Sequence, residues 1–275
     1  MRIQILGTAA AEGWPAVFCA CETCERARHA GEKNIRTRQS VQIDEVYKID
    51  LPPDTHYQQF RFALRLSRLK HLFVTHSHED HLAINELHYL RPPFAHNLEN
   101  PPIKVYGNPT VIQLIEALLA KAQLPLETVS LEPFKPVQAD HLTVFPVPGS
   151  HISTEMCLTY VVCSNGGTVL FAWDTGMYSD TSLSFLQNFR FDAVIAECTQ
   201  GTLDMPSTSH MGLRGVISLR DSLAHSGAVD SNTRFVLTHF SHNIGLLHEE
   251  LVEITAPYGM EVAWDGMVLE IGPNT

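Results

Sequence analysis

Leu72-Phe73-Val74-Thr75-His76-Ser77-His78-Glu79-Asp80-His81 runs an apolar strand straight into three histidines and an aspartate. Alternate residues of an extended segment face the same way, so His76 and His78 project together. Asp80 and His81 enter a following helix and address a neighbouring position. One ion does not need all four, so the stretch reads as part of a metal site with room for two.

Working outward, three further ligand-type residues stand where apolar strands end. His151 follows Leu142 to Val147 and the turn Pro148-Gly149-Ser150, Asp174 closes Thr168 to Trp173, and His239 closes Phe235 to Thr238. Strand ends are where layered α/β folds place ligands. The inventory is then His76, His78, Asp80, His81, His151, Asp174 and His239, enough for two metals. Imidazole with carboxylate suits Zn, Mn or Fe(II), and a carboxylate is suited to bridging two ions. The remaining histidines, His29, His56, His71, His88, His96, His141, His225 and His248, lack such placement and read as solvated or structural.

A second cluster lies near the start. Cys19, Cys21 and Cys24 put three thiols in six residues, a spacing better suited to zinc than to disulfides. A tetrahedral site needs a fourth ligand. None but His29 is near, so the partner is expected from far along the chain. Cys157, Cys163 and Cys198 sit in apolar runs and read as core.

Composition bounds the rest. The 275 residues are 44% hydrophobic and 18% charged, a globular balance, and no linker divides them, so we expect one domain over 1–275 with a metal-knot loop at about 9–29. A formal charge of −11 without a Lys/Arg run argues against nucleic acid as substrate. The opening Met1 to Leu6 is too short for a signal peptide and no segment approaches a membrane span, so a cytoplasmic, membrane-free protein is expected. A homodimer is compatible with this reading. Arg36 and Arg38 are candidates for a substrate phosphate, though ordinary structural arginines are the preferred reading.

Periodicity predicts strands at Met1 to Thr8, Val41 to Ile49 (half exposed), His71 to Thr75, Ile103 to Tyr106, Leu142 to Val147, Cys157 to Cys163, Thr168 to Trp173, Phe191 to Glu197 and Phe235 to His239. Helices are predicted over Tyr57 to Leu69 on the spacing of Phe60, Leu64 and Leu69, His81 to Leu90, Pro109 to Gln123, Thr181 to Gln187, Leu213 to Ser226 and Asn243 to Ile254. Met260 to Trp264 and Met267 to Ile271 read as a terminal hairpin about Asp265-Gly266.

His76-Ser77-His78-Glu79-Asp80-His81 resembles the signature of the metallo-β-lactamase superfamily. That resemblance implies a four-layer αββα sandwich of the α/β (α+β) class. It also implies His76, His78 and His151 on one metal, Asp80, His81 and His239 on the other, and Asp174 between. Gly7-Thr8, Gly13-x-Pro15, Cys19-x-Cys21-x-x-Cys24, Thr238-His239-x-Ser241-His242 and Asp265-Gly266-Met267 are similar to the phosphoribosyl cyclic phosphodiesterases of phosphonate degradation. This closer likeness implies a structural zinc on Cys19, Cys21, Cys24 and His242. It also implies hydrolysis of a small, cyclic phosphate ester by a metal-bridging hydroxide, with Asp80 in the catalytic centre and His210 as general acid. Ile49-Asp50-Leu51-Pro52 departs from that family's Ile-Asp-Ala-Gly, which leaves the substrate open. A thioester or lactone hydrolase, or a metal-binding accessory protein like pyrroloquinoline quinone biosynthesis protein B, are the alternatives.

Overall fold

The structure is a computed structural model and describes residues 1–272. The first six strands are β1 (Arg2–Gly7), β2 (Ser40–Ile43), β3 (Tyr47–Ile49), β4 (His71–Phe73), β5 (Ile103–Gly107) and β6 (Leu126–Ser130). The next seven are β7 (Val137–Ala139), β8 (Leu142–Pro148), β9 (Leu158–Ser164), β10 (Gly167–Ala172), β11 (Ala193–Glu197), β12 (Arg234–Thr238) and β13 (Met260–Val262). The last, β14 (Val268–Glu270), returns to the edge of the first sheet. The sheet orders are β14-β1-β2-β3-β4-β5-β6 and β13-β12-β11-β10-β9-β8-β7. Each sheet starts antiparallel and turns parallel, from β3 in the first and from β10 in the second. Parallel strands share one carboxyl end, and ligands gather there.

Apolar side chains on both sheets, among them Ile3, Ile43, Tyr47, Phe73, Tyr160, Phe171 and Trp173, form the core between them. Outside the first sheet, α3 (Pro109–Leu119) covers Leu72, Val74 and Val105, and α2 (Thr55–Phe62) lies against β1 and β2, where Gln58 Oε1 accepts Ser40 Oγ. Outside the second, α4 (Asp180–Leu186), α5 (Leu213–His225) and α6 (His248–Thr255) cover Val194, Ala196 and Leu237. Four layers result, as the resemblance implied. Helix α3 starts where its sequence says: the Asn108 side chain accepts the Val111 N–H, and proline takes the first turn, where it costs no hydrogen bond.

Several expectations are corrected. Val41 to Ile49 is not one half-exposed strand but the hairpin β2–β3, turned at Asp44 and Glu45, both with positive φ, and buried throughout both strands because layers cover both faces. The 57–69 helix stops at Phe62 and continues only as a 3-10 turn at Leu66–Arg68. Phe60, one of the three residues that set that spacing, is 83% exposed. Past His81 there is only a 3-10 helix at Ile84–Tyr89, because Leu51 and Leu82 pair as an isolated bridge that holds the preceding turn extended. The C-terminal hairpin does not form. Strand β13 pairs with β12 and β14 with β1, and Asp265-Gly266 carries the chain from one sheet to the other. There Asp265 accepts Thr8 Oγ1 at 2.7 Å and Thr37 Oγ1 at 2.8 Å, bonds that tie the crossing to the N-terminal segment. The end of the 9–29 loop is the helix α1 (Glu22–Ala30), which opens on two acids and ends on Arg28, His29 and Gly31. Among the described residues no helix is long and apolar enough to cross a membrane.

Candidate metal centre

Every predicted active-site ligand lies at the end of the sandwich where β3, β4, β10, β11 and β12 finish. Asp50 follows β3, the His76-to-His81 loop follows β4, and His151 follows the turn after β8. Asp174 follows β10, Glu197 ends β11, and His239 follows β12. Three of these residues, Asp50, Asp174 and His239, have left-handed backbones at φ 62°, 50° and 55°. Non-glycine residues adopt that conformation at a cost, which here turns strand-final side chains into one space.

Three groups of ligand atoms form here, each within 4.8 Å: His76, His78, His151 and Asp174; Asp80, His81, Asp174 and His239; and Glu197, His210 and His239. Asp174 belongs to the first two. His76 Nε2 lies 2.9 Å from His78 Nδ1, which lies 3.3 Å from His151 Nε2. His81 Nε2 is 3.1 Å from Asp80 Oδ2, and His239 Nε2 is 3.4 Å from Asp174 Oδ1. The first two groups bring together the residues that the resemblance divided between two positions.

Hydrogen bonding tests whether cations fit. His81 Nδ1 bonds Asp50 Oδ2 at 2.7 Å, and His151 Nδ1 bonds the Ser209 carbonyl at 3.2 Å. Thr199 Oγ1 lies 2.8 Å from both the His239 carbonyl and His239 Nδ1. Its single proton goes to the carbonyl, so Nδ1–H must donate to it. Thr75 Oγ1 likewise donates to Asp50 and accepts His76 Nδ1 at 3.1 Å. All four outer nitrogens are therefore protonated, and the four inward Nε2 atoms are bare lone pairs. Bare lone pairs converging on buried carboxylates are a ligand set awaiting a cation. His81 Nε2, His239 Nε2 and Asp174 Oδ1 are buried with no hydrogen-bond partner at all. His81 Nε2 approaches Asp174 Oδ2 to 2.6 Å without hydrogen-bond geometry, as two ligands of one ion would.

Charge makes the same demand. Asp50, Asp80, Asp174 and Glu197 crowd the site at low exposure, and two divalent cations would balance their four negative charges. Burial alone would depress the His81 imidazole, but Asp50, Asp80 and Asp174 outweigh it and raise it, drawing to Nε2 the positive charge that a cation would supply in place of a second proton. Burial would raise Asp174, but His239, His81 and His76 bring it far down.

Three groups in this arrangement escaped the sequence reading. Asp50 accepts His81 Nδ1, Trp173 Nε1 at 2.8 Å and the Thr75 N–H at 2.8 Å, so it steadies a histidine of each metal position. Glu197, fully buried, accepts the backbone N–H groups of Thr175 and Met211 and lies 3.2 Å from His210 Nδ1. Glu155 accepts the Ser77 N–H and hydroxyl and Asn108 Nδ2, clamping the turn between His76 and His78. Asp50 and Glu197 did carry a signal: each is an acid at the close of an apolar strand, as Asp174 is.

His210 is brought to the site. Its Nδ1 faces Glu197, and Asp174 Oδ1 lies 3.4 Å away. Burial would lower it, but the hydrogen bond and charge of Glu197 raise it to about 9. It borders a cleft of about 250 Å³ with His78, Asp80, His151, Asp174 and His239. The other wall is Ala10, Ala11, Glu12 and Ser241. Neither candidate arginine is there. Arg36 is buried against Thr8 Oγ1, the Ala263 carbonyl and His248, and Arg38 pairs with Asp54.

The thiols converge as well. Cys19, Cys21, Cys24 and His242 place one ligand atom each within 4.8 Å, with His242 Nδ1 3.4 Å from Cys21 Sγ and 3.9 Å from Cys19 Sγ. The N–H of Cys24, and after it His242, hold the Cys21 thiol down to about 6. Thiolate character at Cys21 fits zinc, while burial pushes the Cys24 thiol up to about 11. His29 is exposed and takes no part. Cys157 and Cys198 are core, and Cys163 is half-buried.

A family model described as the β-lactamase superfamily domain matches residues 49–240. Coenzyme PQQ synthesis protein B of Methylobacterium radiotolerans is 26% identical over 98% of this chain and 100% of its own length. Among solved structures, a diphosphatase of the PhnP family superposes with a TM-score of 0.76 at 23% identity, covering 98% of this chain and 97% of that one. The Zn²⁺-bound PqqB of Methylobacterium extorquens also gives 0.76, at 19% identity, covering 98% and 100%.

Proposed function

Since the chain belongs to the metallo-β-lactamase superfamily, a fold of metal-dependent hydrolases, we propose that it is a phosphodiesterase acting on a small, cyclic phosphate ester. The observation that carries this reading is the cleft itself. Two ligand groups share Asp174, and His210 stands beside them on a buried carboxylate. Divalent cations held by His76, His78, His151 and Asp174, and by Asp80, His81, Asp174 and His239, would supply Lewis acidity and a water of lowered pKa.

The chain's own groups do the rest. Asp80 borders both the second ligand group and the cleft, where its carboxylate can orient the attacking water. With Nδ1 on Glu197, His210 keeps Nε2 for the cleft, in the protonated form that can hand a proton to a leaving oxygen. No lysine or arginine borders the cleft, so the negative charge of a phosphoryl group has to be met by the ligated cations and His210. That arrangement favours a compact monoanionic diester over a polyphosphate.

Thiol chemistry supports a separate structural zinc on Cys19, Cys21, Cys24 and His242. Four ligands leave no open position, so its role is stability. A second reading, a part in coenzyme PQQ synthesis, has the name of the full-length relatives behind it. Hydrolysis of bis(p-nitrophenyl) phosphate with added Mn²⁺, abolished by Asp174→Asn, tests the first reading. A chain that cleaves acyl thioesters or lactones instead, or no ester at all, refutes it.

A further inference from the structure

Glu12 stands between the two metal positions. On one side it forms the cleft wall with Ala10, Ala11 and Ser241. On the other, its Oε1 is 3.8 Å from His242 Nε2, the ring nitrogen that points away from the thiols. Ser241 Oγ lies 2.6 Å from the same oxygen. That hydroxyl has no choice of direction. Asn243 N–H at 3.2 Å and Asn243 Nδ2 at 2.9 Å both donate into it, so its only proton goes to Glu12.

The backbone beneath is equally fixed. Ala10 N–H donates to the Phe240 carbonyl at 3.0 Å and Phe240 N–H to the Thr8 carbonyl at 2.9 Å. Arg38 Nε donates to the Ala11 carbonyl at 2.7 Å while its guanidinium pairs with Asp54. Glu12 thus sits on a braced turn, its carboxylate hydrogen-bonded by the cleft residue Ser241 and within ion-pair distance of the thiol-knot ligand His242.

We propose that Glu12 is a positioning residue that joins the knot to the cleft wall, so that zinc held by the thiols sets the wall against which substrate binds. A histidine that ligates through Nδ1 turns its Nε2–H outward, where a carboxylate at ion-pair distance steadies the ring by charge. The carboxylate loses this electrostatic partner's fixed position when the knot empties, and the wall at Glu12 and Ser241 loosens with it. This rests on the structural-zinc reading of the four knot residues.

The test uses the full chain with Mn²⁺ at the active site and zinc in the knot. Zinc release to a chromogenic chelator and steady-state kinetics on bis(p-nitrophenyl) phosphate are measured for wild type, Glu12→Ala and Glu12→Gln. In Glu12→Ala, zinc release should be about 10–100-fold faster, the range for losing a group that orients a ligand. KM should rise while kcat stays within about twofold, because no group at the reacting bond has changed. Glu12→Gln keeps an acceptor oxygen and should fall between. A wild-type release rate in Glu12→Ala, or an unchanged KM, overturns the proposal alone. Equal zinc content in wild type and Cys21→Ser overturns the knot reading and this proposal with it. If wild type cleaves no ester, the phosphodiesterase reading falls and the release rates alone decide for or against Glu12.

Discussion

Asp50→Asn should disturb a histidine of one metal position or the other through a single atom. Asp50 takes His81 Nδ1 and Trp173 Nε1 on Oδ2, and the Thr75 N–H and hydroxyl on Oδ1, at 2.7 to 3.0 Å. Asparagine offers one acceptor oxygen, so in either amide orientation an NH₂ group faces two donors. Two buried donors left unpaired cost about 1–3 kcal/mol each, hence about 2–6 kcal/mol of stability. For a domain this size that corresponds to a drop in Tm of roughly 10 °C. The orientation that abandons His81 also frees its tautomer, which should weaken metal binding by about 10–100-fold. The alternative abandons Thr75 and, through it, His76. Calorimetric titration of metal-stripped protein, with melting curves in chelator, separates the two effects. An Asp50→Asn variant that melts with wild type and binds both metals with wild-type affinity would refute the carboxylate's role.

Cys21→Ser should lose about one zinc equivalent and melt lower, whereas His239→Ala should keep its fold and lose turnover, since a closed site contributes more to folding than an open one. Metal content, Tm and rate measured on both variants check the contrast, and a Cys21→Ser protein with full zinc and wild-type Tm breaks it. His210→Ala should slow an alkyl phosphodiester about 10²–10⁴-fold, the usual range for general acid catalysis. It should slow bis(p-nitrophenyl) phosphate far less, because p-nitrophenolate leaves without a proton; equal losses on the two esters exclude the acid role. His248, buried beside Arg36 and Lys33, is held down to about 4, by burial first and those two charges next. The unfolded chain therefore takes up this proton before the folded one. The contribution is full above about pH 6.5 and falls as pH drops towards 4, by about 3 kcal/mol in all. His248→Gln should flatten that acid limb of denaturation, and a limb of unchanged slope would contradict it.

What was legible in the sequence was chemistry compressed into short stretches or set at strand ends. His76, His78, Asp80 and His81 announce themselves by spacing, and His151, Asp174 and His239 by closing apolar runs. Their meeting at one end of the sandwich follows from sharing the carboxyl ends of parallel strands. The supporting carboxylates were not legible, because a lone Asp50 or Glu197 acquires meaning only from a donor that folding brings to it from elsewhere in the chain. Burial on both faces misled the strand reading. Gln42 and Lys48 look solvent-facing in an alternating pattern, yet both are buried, and Lys48 Nζ is satisfied by Ser40 Oγ at 3.0 Å. Asp265-Gly266 has hairpin chemistry but no hairpin. Edge positions beside β12 and β1 were open to β13 and β14 separately, and turn propensity cannot know which edge a strand will find.

The ligands are divided between the two halves of the sandwich. His76, His78, Asp80 and His81 hang from the first sheet, and His151, Asp174 and His239 from the second. Each cation would therefore rivet one half of the molecule to the other as well as serve the reaction. Heat resistance then becomes a readout of metal supply. Each tenfold rise in free metal above the dissociation constant adds about 1.4 kcal/mol per ion to the folded state. The same titration that saturates turnover should drive the melting curve upward, and a cell short of metal would hold a protein both idle and easier to unfold.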